Sequence, residues 1–177
     1  MISIQPKWCE LIASGQKTIE VRKTSPKIET PFKCYIYETK DKKYDGISVH
    51  WENGRDFIHN GGKVIGEFVC DYIVKDVIVE YEDVFEQDGC VTLEQQKKYG
   101  QNKPPHGWHI SDLKIYGKPR ELGEFCRYCG DDPKCDNCEF YYHNSNENGV
   151  DEECLSPFYL HKPLKRPPQS WMYVEEV

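Results

Sequence analysis

No stretch of the 177 residues approaches the ~18 consecutive apolar side chains of a membrane-crossing helix, so a transmembrane helix is excluded. Nor does a positively charged leader with an apolar core and a small-residue cleavage site open the chain, and the expected location is the cytoplasm. Internal repeats and heptads are lacking too. Basic residues are in deficit, 23 against 30 acidic, and the net charge of -7 argues against a protein that coats nucleic acid. That deficit is uneven: residues 1–50 carry nine Lys/Arg against six Asp/Glu, leaving 14 against 24 for the rest. Positive charge is therefore concentrated at the start. With 38% hydrophobic and 13% aromatic content, the length suits one well-buried domain and is short for two.

Strand patterns dominate the first eighty residues. MISIQ alternates apolar and polar residues; Pro6 then suits the first turn of a helix whose apolar face carries Trp8, Leu11 and Ile12, and Gly15 is placed to end it. KTIEVRK alternates again, with Ile19 and Val21 on one face and Thr18, Glu20 and Arg22 on the other. Residues 32–40 and 63–79 read as further strands, separated by a polar loop. From Asp76 to Glu94 there are seven acidic residues and no Lys or Arg, which predicts a solvated acidic face, followed by a short helix over 92–100. Residues 108–119 resume the strand pattern, and SWMYVEEV offers a last strand to pair with an early one. Between them, 119–169 form a Cys-, Asn-, Asp- and Pro-rich insertion and linker.

Nine cysteines in a chain without an export signal point to reduced thiols. Four of them stand as two Cys-x-x-Cys pairs, Cys126/Cys129 and Cys135/Cys138, five residues apart. Two such knuckles can present four thiolates to one tetrahedral Zn²⁺, with no position left for water, so the metal would be structural. A redox-active dithiol or two disulfides are the alternatives, and His143 and Cys154 are possible substitute ligands. Cys9, Cys34, Cys70 and Cys90 read as small buried apolar residues.

SGQKTIEVR places Gly15, Lys17, Glu20 and Arg22 at a helix-to-strand junction. Such a trio can hold an anionic or base-like ligand, because Arg offers a planar fork, Lys a point charge and Glu a paired acceptor. A surface strand with one cross-strand ion pair is the plainer alternative.

This motif resembles the signature of the ASCH family, the activating-signal-cointegrator-homology domain. IQPKWCELI, GKVIGEFVCD, GWHISDLKIYGKP and PPQSWMYVEE are similar to the corresponding stretches of small ASCH proteins of bacteria and phages, over about residues 1–118 and 164–177. What the resemblance implies is a mainly β (α+β), PUA-like β-barrel associated with RNA, made of residues 1–118 plus 170–177, with a helix over the barrel mouth. Lys17, Glu20 and Arg22 would then line a cleft for RNA or a modified nucleotide. One enzymatic branch hydrolyses the acetyl amide of N4-acetylcytidine with a lysine, a threonine and a glutamate. By motif position the lysine corresponds to Lys17 and the glutamate to Glu67, whereas Glu20 occupies the threonine's place, with Thr18 two residues away. A carboxylate cannot readily replace a hydroxyl nucleophile, although Glu20 could activate water. Ribonuclease activity is the other enzymatic implication, and no histidine pair at recognisable spacing supports it.

Trp108 and His109 follow a Pro-Pro-His-Gly loop that could present them beside the cleft for stacking, with core packing the competing role for Trp108. The sequence thus predicts RNA or modified-nucleotide binding through Lys17, Glu20, Arg22, Trp108 and His109. Its runner-up is a hydrolase using Lys17, Glu20 and Glu67. A third reading is a protein-interaction module whose acidic face meets a partner. The net charge of -7 favours a small, local nucleic-acid footprint.

Overall fold

The computed structural model describes residues 1–75, 82–101, 103–128, 138–141, 158–161 and 163–176, with the backbone alone for 82, 83, 138–141 and 158–161. In chain order the elements are β1 (Ile2–Ile4), α1 (Pro6–Ser14), β2 (Ile19–Arg22), β3 (Phe32–Glu38), β4 (Ser48–His50), β5 (Asp56–Ile58), β6 (Val64–Cys70) and β7 (Ile73–Val74). Then follow α2 (Glu82–Gln87), α3 (Leu93–Gly100), β8 (His106–His109), β9 (Ser111–Arg120), β10 (Phe125–Arg127), β11 (Cys138–Tyr141), β12 (Phe158–His161) and β13 (Val174–Glu176).

Two sheets make the body. A four-stranded sheet runs β1-β3-β6-β9, with β1 parallel to β3 and the other pairs antiparallel; a three-stranded antiparallel sheet runs β2-β8-β7. Among the described residues the ladders form separate sheets without closing into a barrel. The chain changes sheet at two corners. The run read from sequence as one strand over 63–79 breaks after Cys70, and Ile110 divides the run 108–119 into β8 and β9. Just past that break Asp112 adopts φ 46°, and the β6–β9 register shifts between Glu67 and Val69, a local irregularity that bends the strand.

Helix α1 forms as its sequence predicts. Pro6 sits in its first turn and Gly15 caps its end at φ 84°, its N–H donating to the Ile12 carbonyl. Cys9, Ile12 and Ala13 pack with Ile2, Ile4, Cys34, Ile36, Phe68, Cys70 and Trp108 in the main core. On the opposite face of the four-stranded sheet, Tyr35, Tyr37 and Val64 pack with Phe125 of β10 in a second cluster.

Of the acidic 76–94 stretch, residues 76–81 lie outside the described residues, and the remainder is not a purely solvated face. Phe85 of α2 is 1% exposed and seals a third cluster against Ile19, Val21 and Val91. A six-residue helix anchored by one aromatic ring has too few apolar positions for periodicity to reveal. The C-terminal run does reach an early strand, through a Trp171–Ile2 bridge, but its last regular segment, β13, pairs with β10. The segment 119–127, assigned by sequence to the insertion, is tied to the body by β10 and by the continuation of β9 to Arg120. Among the described residues no helix is long and apolar enough to cross a membrane.

Candidate functional site

The turn after α1 and the edge strand β2 bring Lys17, Glu20 and Arg22 together in the interior. All three are buried, at 2%, 5% and 7% exposure, so the surface-strand alternative is excluded. Glu20 stands between the cations: Oε2 lies 3.5 Å from Lys17 Nζ, and Oε1 lies 2.9 Å from an Arg22 terminal nitrogen. Backbone carbonyls complete the array, with Lys17 donating to Gly89 O and Arg22 to Ser3 O. Burial pulls the Lys17 ammonium below the ordinary lysine value, while the Glu20 carboxylate opposes that fall.

These groups line a cleft of about 440 Å³ walled by Ser3, Gln5, Trp8, Val91, Tyr99 and Gln169. The Trp8 ring is half-buried, with Lys17 Nζ 5.1 Å from its centroid, within cation–π range. Residues contributed by α3, by the loop after α2 and by the C-terminal segment had no signal in the sequence. Their spacing from Lys17 is set only by the tertiary fold.

The other expected site residues lie elsewhere. Glu67 is opposite Tyr35 in the β3–β6 ladder, on the sheet face away from α1; there it accepts from the Tyr116 hydroxyl at 2.6 Å and lies 3.6 Å from Lys33 Nζ. It does not line the Lys17 cleft, so the Lys17–Glu67 pair implied by the amidohydrolase resemblance is not assembled. Thr18 precedes β2 and lines a neighbouring depression between Ile12, Arg55 and Leu113, not the Glu20 cleft. Trp108 is 1% exposed and packs edge-on to Phe32 and against Trp171, its indole N–H donating to Thr24 O. It is a core residue: β8 sets it directly opposite Glu20, but its ring packs into the main core and not toward solvent. His109 lies at the far end of β8, stacked on Tyr72 with its Nδ1 2.6 Å from Asp71 Oδ1. That contact holds the Asp71 carboxyl below its usual range.

Of the cysteine tetrad, Cys129 and Cys135 fall outside the described residues, and only the backbone of Cys138 is described. Cys126 is buried in β10. Among the described residues no group of three His, Cys, Asp or Glu side chains is arranged to hold a metal.

A cluster that sequence reasoning missed lies behind α1. Glu38, fully buried, accepts from the Asn60 N–H at 2.6 Å and stands 2.6 Å from His59 Nδ1, while Glu10 approaches the other ring nitrogen at 3.4 Å. It clamps the chain after the β4–β5 hairpin to β3 and α1.

Comparison with known proteins agrees with this architecture. The profile of the ASCH domain matches residues 2–120, and the chain belongs to that family. Among solved structures it is similar to the ASCH protein of Zymomonas mobilis: 20% identity, 68% of this chain and 71% of that chain covered, TM-score 0.51. A serine-to-alanine variant of the same Zymomonas mobilis protein matches at 20% identity and TM-score 0.51, over 68% and 72% of the two chains. Both likenesses concern the fold. The curated proteins give no match.

Proposed function

We propose that the Lys17–Glu20–Arg22 cleft binds RNA or a modified nucleotide, one nucleotide unit at a time. The observation that carries the reading is an ion array buried in an open cleft and not in a closed core. Buried ion pairs are poor stabilisers, because desolvation costs several kcal/mol per ion, so their placement beside a ligand-sized space is better explained by recognition. Membership of a family generally associated with RNA supports the same conclusion. Trp8 and Tyr99 at the walls supply ring surfaces for a base, each stack contributing about 1–3 kcal/mol. The net charge of -7 restricts the footprint to a short single-stranded element.

Titrating the protein with nucleosides and a short single-stranded RNA, with mass spectrometry of both before and after incubation, tests this. Binding that weakens by about tenfold or more in Lys17→Met, with the substrates chemically unchanged, is the expected result. Loss of acetyl groups or strand cleavage would instead establish the hydrolase, and binding indifferent to both Lys17→Met and Arg22→Ala would sink the cleft.

For the insertion, we infer that Cys126, Cys129, Cys135 and Cys138 hold a structural Zn²⁺, on the strength of two Cys-x-x-Cys knuckles five residues apart. Purified protein is expected to carry one equivalent of zinc and to lose stability when a chelator removes it. Metal-free protein that melts identically with and without chelator overturns this.

A further inference from the structure

The ion array leaves one of its own groups without a partner. Arg22 Nε is buried and makes no hydrogen bond, although a terminal nitrogen of the same guanidinium is engaged by Ser3 O and Glu20. The other buried side-chain atom among the described residues in that condition is His106 Nδ1. They occupy facing positions: Arg22 and His106 are direct partners in the β2–β8 ladder. Direct partners in an antiparallel pair project from one face with Cβ atoms about 5 Å apart. A buried polar atom without a partner is costly, and two on directly paired residues mark a position where a polar group from outside belongs.

The chemistry of that group follows from its neighbours. Arg22 Nε–H can only donate, so the group must present an acceptor. Of the charged side chains lining the cleft, Lys17 and Arg22 are cationic and Glu20 alone is anionic, which favours a group bearing negative charge. The imidazole Nδ1 can donate to an oxyanion or accept from a hydroxyl, according to its tautomer. A phosphate ester satisfies all three conditions, and charge-assisted hydrogen bonds to its oxygens are about twice as strong as neutral ones.

We propose that Arg22, which lines the cleft, and His106, its partner in the β2–β8 ladder, form a phosphate subsite, which makes the ligand a phosphate-bearing nucleotide and not a free nucleoside. The inference rests on the nucleotide reading above and deepens it. Phosphate sits at the Arg22 end, and the base lies toward Trp8 and Lys17. The sequence marked the Pro-Pro-His-Gly loop that holds His106 but not the residue itself, which stands 84 positions from Arg22 and is set opposite it by the β2–β8 register.

The test titrates the full chain with cytidine, cytidine 5′-monophosphate and inorganic phosphate, by calorimetry and by NMR of arginine Nε–H and histidine ring resonances. Cytidine 5′-monophosphate is expected to bind at least about tenfold more tightly than cytidine, and phosphate alone to shift the Arg22 Nε–H and His106 signals. His106→Phe, at a half-buried position, is expected to remove most of that advantage while leaving cytidine affinity in place; it serves in place of Arg22→Gln, which disrupts the buried array. Equal affinity for the two compounds, with cytidine binding still lost in Lys17→Met, overturns the phosphate subsite and leaves the cleft assignment standing. Binding by neither compound overturns both.

Discussion

Glu20 divides its two oxygens between two cations, and the variants that follow from this are unequal. Glu20→Gln leaves Lys17 and Arg22 buried with no counter-charge between them, whereas Lys17→Met leaves the Arg22–Glu20 pair intact at 2.9 Å. Removing the shared carboxylate is expected to cost about 3–5 kcal/mol, the range for an uncompensated buried charge, and Lys17→Met distinctly less. Urea denaturation of both variants measures the difference; equal midpoints would show that the array does not depend on Glu20. The motif's residue types were legible in the sequence, and so was their adjacency along β2. Their burial was not, because it depends on Gly89, 72 positions from Lys17, and on Ser3, 19 positions from Arg22.

Among the elements, three strand glycines report how closely the layers approach. A Cβ at Gly66 of β6 would meet the Lys114 carbonyl oxygen at 2.5 Å, a backbone atom that cannot step aside. At Gly107 of β8 it would meet Ile19 Cγ2 and a Phe85 ring carbon, each at 2.8 Å, and these side chains can yield in part. Gly117 of β9 has nothing within 4 Å. Alanine substitutions should therefore rank Gly66 as the most damaging, Gly107 next at about 1–3 kcal/mol, and Gly117 as neutral or slightly stabilising through reduced unfolded-state entropy. Thermal melts give the order, and a destabilising Gly117→Ala or a harmless Gly66→Ala would contradict the packing described. Helix α1 and its Gly15 stop could be read from sequence because Pro, Gly and apolar spacing act locally. By contrast α2 escaped notice, as its one deeply buried aromatic, Phe85, sits in a run of charges whose solvation was the simpler expectation.

Across the whole molecule, ionisable groups held neutral in the interior set the response to alkali. Burial raises the Cys9 and Cys34 thiols, pushes Cys70 up to about 12, and raises Tyr35, Tyr37 and Tyr116, the first and last further through carboxylate partners Glu176 and Glu67. Each of these groups keeps its proton in the folded state at pH values where the unfolded chain has released it, so the folded state binds more protons and stability falls as pH rises. Lys17 and the Met1 amino group, both lowered by burial, act in the opposite sense but are fewer than the raised thiols and phenols. Melting temperature is expected to decline from about pH 9 upward, with a shallower decline in a Tyr35→Phe/Tyr116→Phe double variant. A flat profile to pH 11 would refute this. The sequence by itself determined the local pieces: the capped helix, the alternating strand, the charged trio on it and the paired cysteine knuckles. These depend on residues within a few positions of one another. Only the tertiary structure decided that the trio is buried in a cleft, that Glu67 and His109 lie away from it, that Trp108 is packed in the core, and that Arg22 faces His106. Sheet register and the change of sheet at Ile110 join residues far apart in the chain, and no local pattern encodes that pairing.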